Sequence, residues 1–164
     1  MKKVLQFSGI ISLALAIVAF VLMLATNAVI VGSGSIQVVY GGAHVIFGNG
    51  DASINKNPSV LALIGWILAL VGLLLVGFGV ILPMLKIKKI EKFAGLLNTI
   101  AVICLITAGV FMFLVVPTFA GANNWGNTDN WAIGAGWVIG AILYIAAGVF
   151  AVLPAAMDFA SKKK

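Results

Sequence analysis

Charged positions divide this chain into four long apolar segments. No Asp, Glu, Lys or Arg occurs in residues 4–50, 57–85, 93–128 and 130–157. A helix needs about 20 apolar residues to cross the hydrocarbon core of a bilayer. Each segment contains such a stretch, so we expect spans at about 4–30, 59–83, 94–117 and 133–157.

The prolines agree with these boundaries. Pro83, Pro117 and Pro154 fall at or near the ends of predicted spans, where a missing N–H and the ring clash cost least. Pro58 stands just before the second span, a common place for a helix to begin.

Composition places the chain in lipid rather than water. Hydrophobic residues make up 63% and charged residues only 9%, whereas a soluble domain carries about 25% charged residues. The sequence therefore predicts an all-α integral membrane protein, a single membrane domain over residues 1–164 with the lipid bilayer as its first partner.

The lysines predict the orientation. One side of the membrane receives nine of them, and only Lys56 falls on the other: Lys2, Lys3, Lys86, Lys88, Lys89, Lys92, Lys162, Lys163 and Lys164. Because positive loops stay inside, we expect both termini and the middle loop to be cytoplasmic. A basic start before an apolar run is also typical of a signal peptide, cleaved here near Ala28, but this run exceeds the usual 7–15 residues. Lysine without arginine hints at a bacterial plasma membrane.

The two halves of the chain resemble each other. Residues 2–9 and 88–95 both read Lys-Lys-aliphatic-x-x-Phe-small-Gly. In the even spans, Gly65-Trp66 aligns with Gly136-Trp137, Gly77 with Gly148, and Leu82-Pro83 with Leu153-Pro154. We interpret this as a duplication with units at about 2–83 and 88–154. Parallel repeats are related by an axis along the membrane normal, which predicts a four-helix bundle of two similar hairpins.

Small residues predict where the helices touch. Lipid supplies no hydrophobic drive between helices, so close backbone approach matters. The expected packing positions share small side chains: Gly65, Ala69, Gly136, Gly140 and Gly148. Contacts within the chain are the preferred interpretation, and a homo-oligomer face is the alternative.

The first outside loop carries a β-hairpin pattern. Residues 36–40 and 43–47 are rich in β-branched and aromatic residues, and Gly41-Gly42 separates them. Exposed strand edges bind partners by strand addition. Folding back onto the bundle or the second outside loop is an equal alternative.

Tryptophans mark the outer ends of the spans. Trp66, Trp137, Trp125 and Trp131 are expected interfacial anchors in an aromatic belt. Trp125 and Trp131 also lie among amide side chains, a combination that suits sugar binding as a less favoured reading. On the cytoplasmic side, Lys86, Lys88, Lys89 and Lys92 form a basic cluster that attracts anionic lipid heads.

Reactive groups are scarce. The chain has one His, one Cys, a single Glu and no Arg. His44 and Cys104 lie in different predicted elements, which makes a Cys/His nucleophilic pair improbable, and no cluster supplies the three or four ligands of a zinc site. We therefore expect no enzyme activity, no metal and no cofactor. Tethered lysines without an aromatic platform also argue against nucleic-acid binding.

The plan of four spans, cytoplasmic termini and a longer β-forming first outside loop resembles the claudin-like tetraspan architecture. The resemblance covers the whole chain as a layout. The claudin first-loop signature of Trp, Gly-Leu-Trp and paired cysteines is absent, since that loop has neither Trp nor Cys. No claudin functional residue transfers to this chain.

Ample packing and loop surface with little reactive chemistry favours one functional class. We expect a non-catalytic membrane protein that acts through contacts, as a scaffold, accessory subunit or surface-interaction module with a homo-oligomer or membrane-protein partner. The alternative is a small channel or transporter subunit for a neutral or hydrophobic solute, with Asn98 and Thr107 as the polar groups of the third span.

Overall fold

The structure is a computed structural model that describes residues 2–32, 35–48, 57–84 and 88–161. Four long helices dominate it: α1 Lys2–Ala25, α3 Val60–Met84, α4 Lys88–Phe113 and α6 Ala135–Ser161. The shorter elements are β1 Asn27–Val31, β2 Val38–Gly41, α2 Gly42–Phe47, α5 Val115–Ala122 and β3 Trp131–Ile133.

The prediction of four apolar spanning helices is confirmed. In the described ranges, four helices are long and apolar enough to cross a membrane, over Phe7–Ala25, Val60–Leu82, Gly95–Phe113 and Ala135–Ala156. Their outward positions carry large aliphatic and aromatic side chains such as Ile17, Leu74, Ile103 and Val149. Such a surface suits lipid, which is as apolar as the side chains themselves.

The long helices pack in the cyclic order α1, α3, α4, α6. Each lies against two neighbours, since α1 contacts α3 and α6, and α4 contacts α3 and α6. Neighbours run antiparallel: Ser12 near the start of α1 donates a hydrogen bond to the carbonyl of Ala147 in the second half of α6. Fully buried alanines line the interior, among them Ala16, Ala69, Ala108 and Ala141.

Helix α3 shows how the sequence produces this packing. Its inward positions alternate spacings of three and four residues and are almost all small: Ala62, Gly65, Ala69, Gly72, Val76 and Gly79. A 3.5-residue period keeps one seam on a neighbouring helix. A Cβ on Gly72 would stand 2.8 Å from Leu105 Cγ, so glycine lets α3 and α4 approach closely.

The first predicted span was too long. Residues 4–30 form a mostly apolar run without a charge, but α1 ends at Ala25 and residues 27–31 form strand β1. Thr26 follows the last helical residue, and its hydroxyl donates to the Leu22 carbonyl at 2.6 Å. Val29 is fully buried in the strand, which explains why apolar character alone did not separate strand from helix.

The predicted hairpin was wrong in one of its two strands. Residues 38–41 do form strand β2, but it pairs with β1, and residues 42–47 form helix α2. Within α2 the buried residues are Gly42, Val45 and Ile46, a helical spacing rather than a strand alternation. A Cβ on Gly42 would overlap the Met23 carbonyl, so this glycine permits α2 to dock on α1.

The third predicted span is interrupted. Helix α4 ends at Phe113, and α5 follows after Leu114. Pro117 explains the break, because proline lacks an N–H and its ring clashes with the carbonyl four residues earlier, that of Phe113.

Candidate functional site

The two connections at the end of the helices opposite the lysines form one unit, which we call the loop cap. It comprises residues 26–32 and 35–48 of the first connection and 114–134 of the second. The three strands join in the order β2-β1-β3. Val29 of the central strand is paired with Tyr40 on one side and Ile133 on the other. The second connection therefore completes a sheet that the first one begins.

Four aromatic residues from both connections pack together above the helices. Phe119 and Trp125 lie 5.2 Å and 5.7 Å from the Tyr40 ring, and Trp125 lies 5.3 Å from Trp131. Phe119 is fully buried. Such ring pairs add about 0.5–1.5 kcal/mol each beyond the area they bury. Burial also raises the pKa of the Tyr40 phenol above its ordinary value.

Two asparagines tie the cap to the start of α3. The Asn57 backbone N–H donates to Asn123 Oδ1 at 2.8 Å, and Asn123 Nδ2 donates back to the Asn57 carbonyl at 3.1 Å. Asn57 Nδ2 also donates to the Ala122 carbonyl at 3.0 Å. Beside them, the hydroxyls of Ser59 and Thr118 lie 2.8 Å apart. These reciprocal bonds fix the cap on the helices below it.

The four predicted tryptophan anchors occupy three different environments. Trp125 and Trp131 are half-buried in the aromatic cluster of the cap. Trp66 is also half-buried and packs edge-on against Phe47 of α2, at 5.1 Å between ring centroids. Trp137 is fully buried, so it does not contact lipid, and its position does not fit the anchoring role predicted for it.

A helix break explains the burial of Trp137. Its indole N–H donates to the Met112 carbonyl at 2.8 Å, next to the point where α4 ends. When residues 2–9 are aligned with 88–95, Thr26 corresponds to Met112. The Thr26 carbonyl accepts a different donor, the backbone N–H of Gly42, at 2.8 Å. The Trp66 indole N–H is buried and has no hydrogen-bond partner among the residues the structure describes.

The five predicted packing residues lie at helix contacts within the chain. Ala69 is fully buried. A Cβ on Gly65 would meet Phe111 Cβ at 3.3 Å, and one on Gly136 would meet Thr26 Cγ2 at 2.6 Å. A Cβ on Gly140 would stand 3.1 Å from Met112 Cε, and one on Gly148 would stand 2.6 Å from Ile106 Cγ1, both in α4. Close approach at these points serves the chain's own packing.

The remaining predicted residues are spread along the chain. Lys88, Lys89 and Lys92 occupy the first two turns of α4, and Lys86 lies outside the described residues. Asn98 is nearly buried in α4, and its amide fills the space that a Cβ on Gly79 would occupy. His44 is exposed on α2 and Cys104 is buried in α4. Within the described ranges, no group of three His, Cys, Asp or Glu stands close enough to hold a metal ion.

Sequence reasoning predicted a strand with exposed edges at residues 36–40 but missed the strand that it pairs with, β1. Strand β2 is an edge strand, and the side chains of its first two residues and of Ile36 just before it are exposed: Ile36 by 81%, Val38 by 51% and Val39 by 44%. The signal for its true partner was present in Val29-Ile30-Val31, a β-branched run shortly after the polar pair Thr26-Asn27.

Comparisons of the chain with protein-family models, curated proteins and solved structures gave no match. Function therefore has to be argued from the geometry of the chain itself. Two surfaces are candidates for binding. One is the exposed edge of β2 in the loop cap, and the other is the contact between α4 and α6 toward the opposite end of the helices.

Proposed function

We propose that this chain is a four-span, non-catalytic membrane protein that binds a protein partner, or a second copy of itself, through the outer edge of β2. The observation that carries the proposal is the exposed apolar edge at Ile36, Val38 and Val39. An edge strand offers a row of N–H and C=O groups that pair readily with another chain.

The rest of the cap favours this edge as a binding surface. Soluble proteins usually blunt such an edge with charges, prolines or a covering segment. Residues 36–40 carry no charge and no proline. The aromatic cluster and the Asn57–Asn123 bonds hold the strand in place, which lowers the conformational entropy lost when a partner strand adds.

The architecture we propose is a four-helix bundle made of two parallel repeats. In the alignment of residues 2–9 with 88–95, Thr26 corresponds to Met112. Gly136 packs against Thr26, and Gly65 packs against Phe111, one residue from the aligned position. Each even helix thus meets the odd helix of the other repeat at an equivalent glycine. Nine lysines at the opposite end support a cytoplasmic location for both termini, and an extracytoplasmic cap.

Co-purification in mild detergent tests the proposed function. The wild-type chain should recover a partner or a homo-oligomer, and Val39→Lys should lose it because a charge on the edge opposes strand addition. Asn130→Lys is the matched control, since Asn130 is exposed in the cap but away from β2. A chain that is monomeric and partner-free, or a Val39→Lys variant that keeps its partner, would contradict the proposal.

A further inference from the structure

A groove runs between α4 and α6 in their halves nearer the lysines. It has a volume of about 250 Å³ and is lined by Thr99, Val102 and Ile103 of α4 and Val152, Ala155 and Ala156 of α6. Elsewhere the two helices are in tight contact: a Cβ on Gly109 would stand 2.8 Å from the Ala141 carbonyl oxygen. The groove opens where α6 presents two adjacent alanines.

The chemistry of the lining is that of a hydrocarbon site. Thr99 is the one polar residue in it, and its hydroxyl already donates to the Gly95 carbonyl at 2.8 Å. Ile103 is 61% exposed, so the groove opens on the outer surface of the helices rather than into their interior. Drug-sized pockets measure roughly 300–1,000 Å³, so this volume suits part of one acyl chain.

Two lysines lie on the same face of α4 as the groove, where they would meet the head group of a lipid bound in it. An α-helix turns about 100° per residue, so Lys88, Lys92, Thr99 and Ile103 fall within about 60° of one another on α4. Glu91 lies about 80° away from Thr99 around the helix. Lys92 precedes Thr99 by about 10 Å along the helix axis. This distance matches the separation between the head group and the acyl chain of a lipid within one leaflet.

We propose that this groove binds an anionic phospholipid, with one acyl chain between α4 and α6 and the phosphate near Lys88 and Lys92. The occupant follows from two independent features, an uncharged lining on the surface of a span and two basic residues on the same helix face about two and three turns before Thr99. Basic residues at a membrane surface attract anionic lipid heads. The inference rests on the proposed bilayer location, but not on a partner at the β2 edge.

Native mass spectrometry of the full chain, titrated with phosphatidylglycerol or phosphatidylcholine in detergent, tests the site. For the first bound lipid we expect roughly a thirtyfold preference for phosphatidylglycerol from two lysines. Lys88→Gln with Lys92→Gln should abolish the preference, whereas Lys2→Gln with Lys3→Gln, which removes the same charge from α1, should keep it.

A second pair of variants tests the groove itself. Ala156→Phe should fill it and lower the affinity for both lipids, while Ala14→Phe, at an exposed position on α1, should not. Unchanged melting temperatures would show that both variants are folded. Equal binding of the two lipids by the wild type would overturn the proposal, as would undiminished binding by Ala156→Phe. A dimer that Ala156→Phe dissociates would identify a second copy as the occupant, which would also overturn it.

Discussion

The Ser8 hydroxyl donates a hydrogen bond to the Phe150 carbonyl at 2.6 Å, and this carbonyl is the one that Pro154 leaves without its usual helical partner. In a regular helix the N–H of residue 154 would bond to the carbonyl of residue 150. Proline has no N–H, so α1 supplies the missing donor across the helix contact. A polar group in a span is stabilised best when a neighbouring helix satisfies it.

Ser8→Ala should therefore destabilise the chain by about 1 kcal/mol, the scale of interhelical hydrogen bonds in membranes. In a Pro154→Ala background the loss should be smaller, because residue 154 then supplies the N–H. Unfolding in mixed detergent micelles, arranged as a double-mutant cycle, measures the coupling. Equal losses in both backgrounds would show that the proline does not create the need for Ser8.

Gly109→Ala should destabilise the contact of α4 with α6. The new Cβ would stand 2.8 Å from the Ala141 carbonyl oxygen and 2.8 Å from Ile145 Cγ1. Backbone cannot yield as a side chain does, so we expect a loss of about 1–3 kcal/mol. Gly121→Ala in α5 is the matched control, because no other part of the chain lies within 4 Å of its added Cβ. Alanine has the higher helix propensity, so the stability of this variant should be unchanged or slightly increased. Similar unfolding midpoints for the two variants would contradict the assigned packing.

The two aligned tryptophans should respond differently to the same substitution. Trp137→Phe removes the donor to the Met112 carbonyl in a fully buried place, at a cost of about 1–3 kcal/mol. Trp66→Phe removes an indole N–H that has no partner in the described part of the chain, so its cost should be lower. Thermal unfolding of the two variants makes the comparison, and a greater loss for Trp66→Phe would refute it.

Asn123→Ala should loosen the loop cap without unfolding the helices. It removes the bonds to Asn57 and the additional bond from Asn123 Nδ2 to the Phe119 carbonyl at 2.9 Å. Hydrogen exchange in β1, β2 and β3 should accelerate by about tenfold or more, while exchange in the long helices stays the same. Asn130→Ala, at an exposed cap position, should leave the cap protected. If Asn123→Ala changes nothing, the sheet alone holds the cap.

Much of the helical framework was predictable, because charge-free segments and prolines report directly on span length. Pro117, for example, sits within four residues of the end of α4. The strand β1 was not predictable from the same signal, because residues 4–30 carry no charge and no proline. A buried strand and a buried helix then look alike.

The local sequence pattern also failed to predict elements whose conformation or burial depends on contacts with distant residues. Val45 and Ile46 have strand propensity, yet α2 forms because they are buried against the helices. Trp137 lies at a helix end, as an anchor would, and its hydrogen bond to the Met112 carbonyl at the end of α4 explains why it turns inward. Pairing of β1 with β3 joins residues from opposite halves of the chain, which no local window samples.

That last pairing imposes an order on biogenesis. A ribosome releases β1 and β2 long before it synthesises β3, so one side of β1 stays open until the second connection has been made. A product truncated before residue 131 would therefore carry an unfilled strand position beside β1.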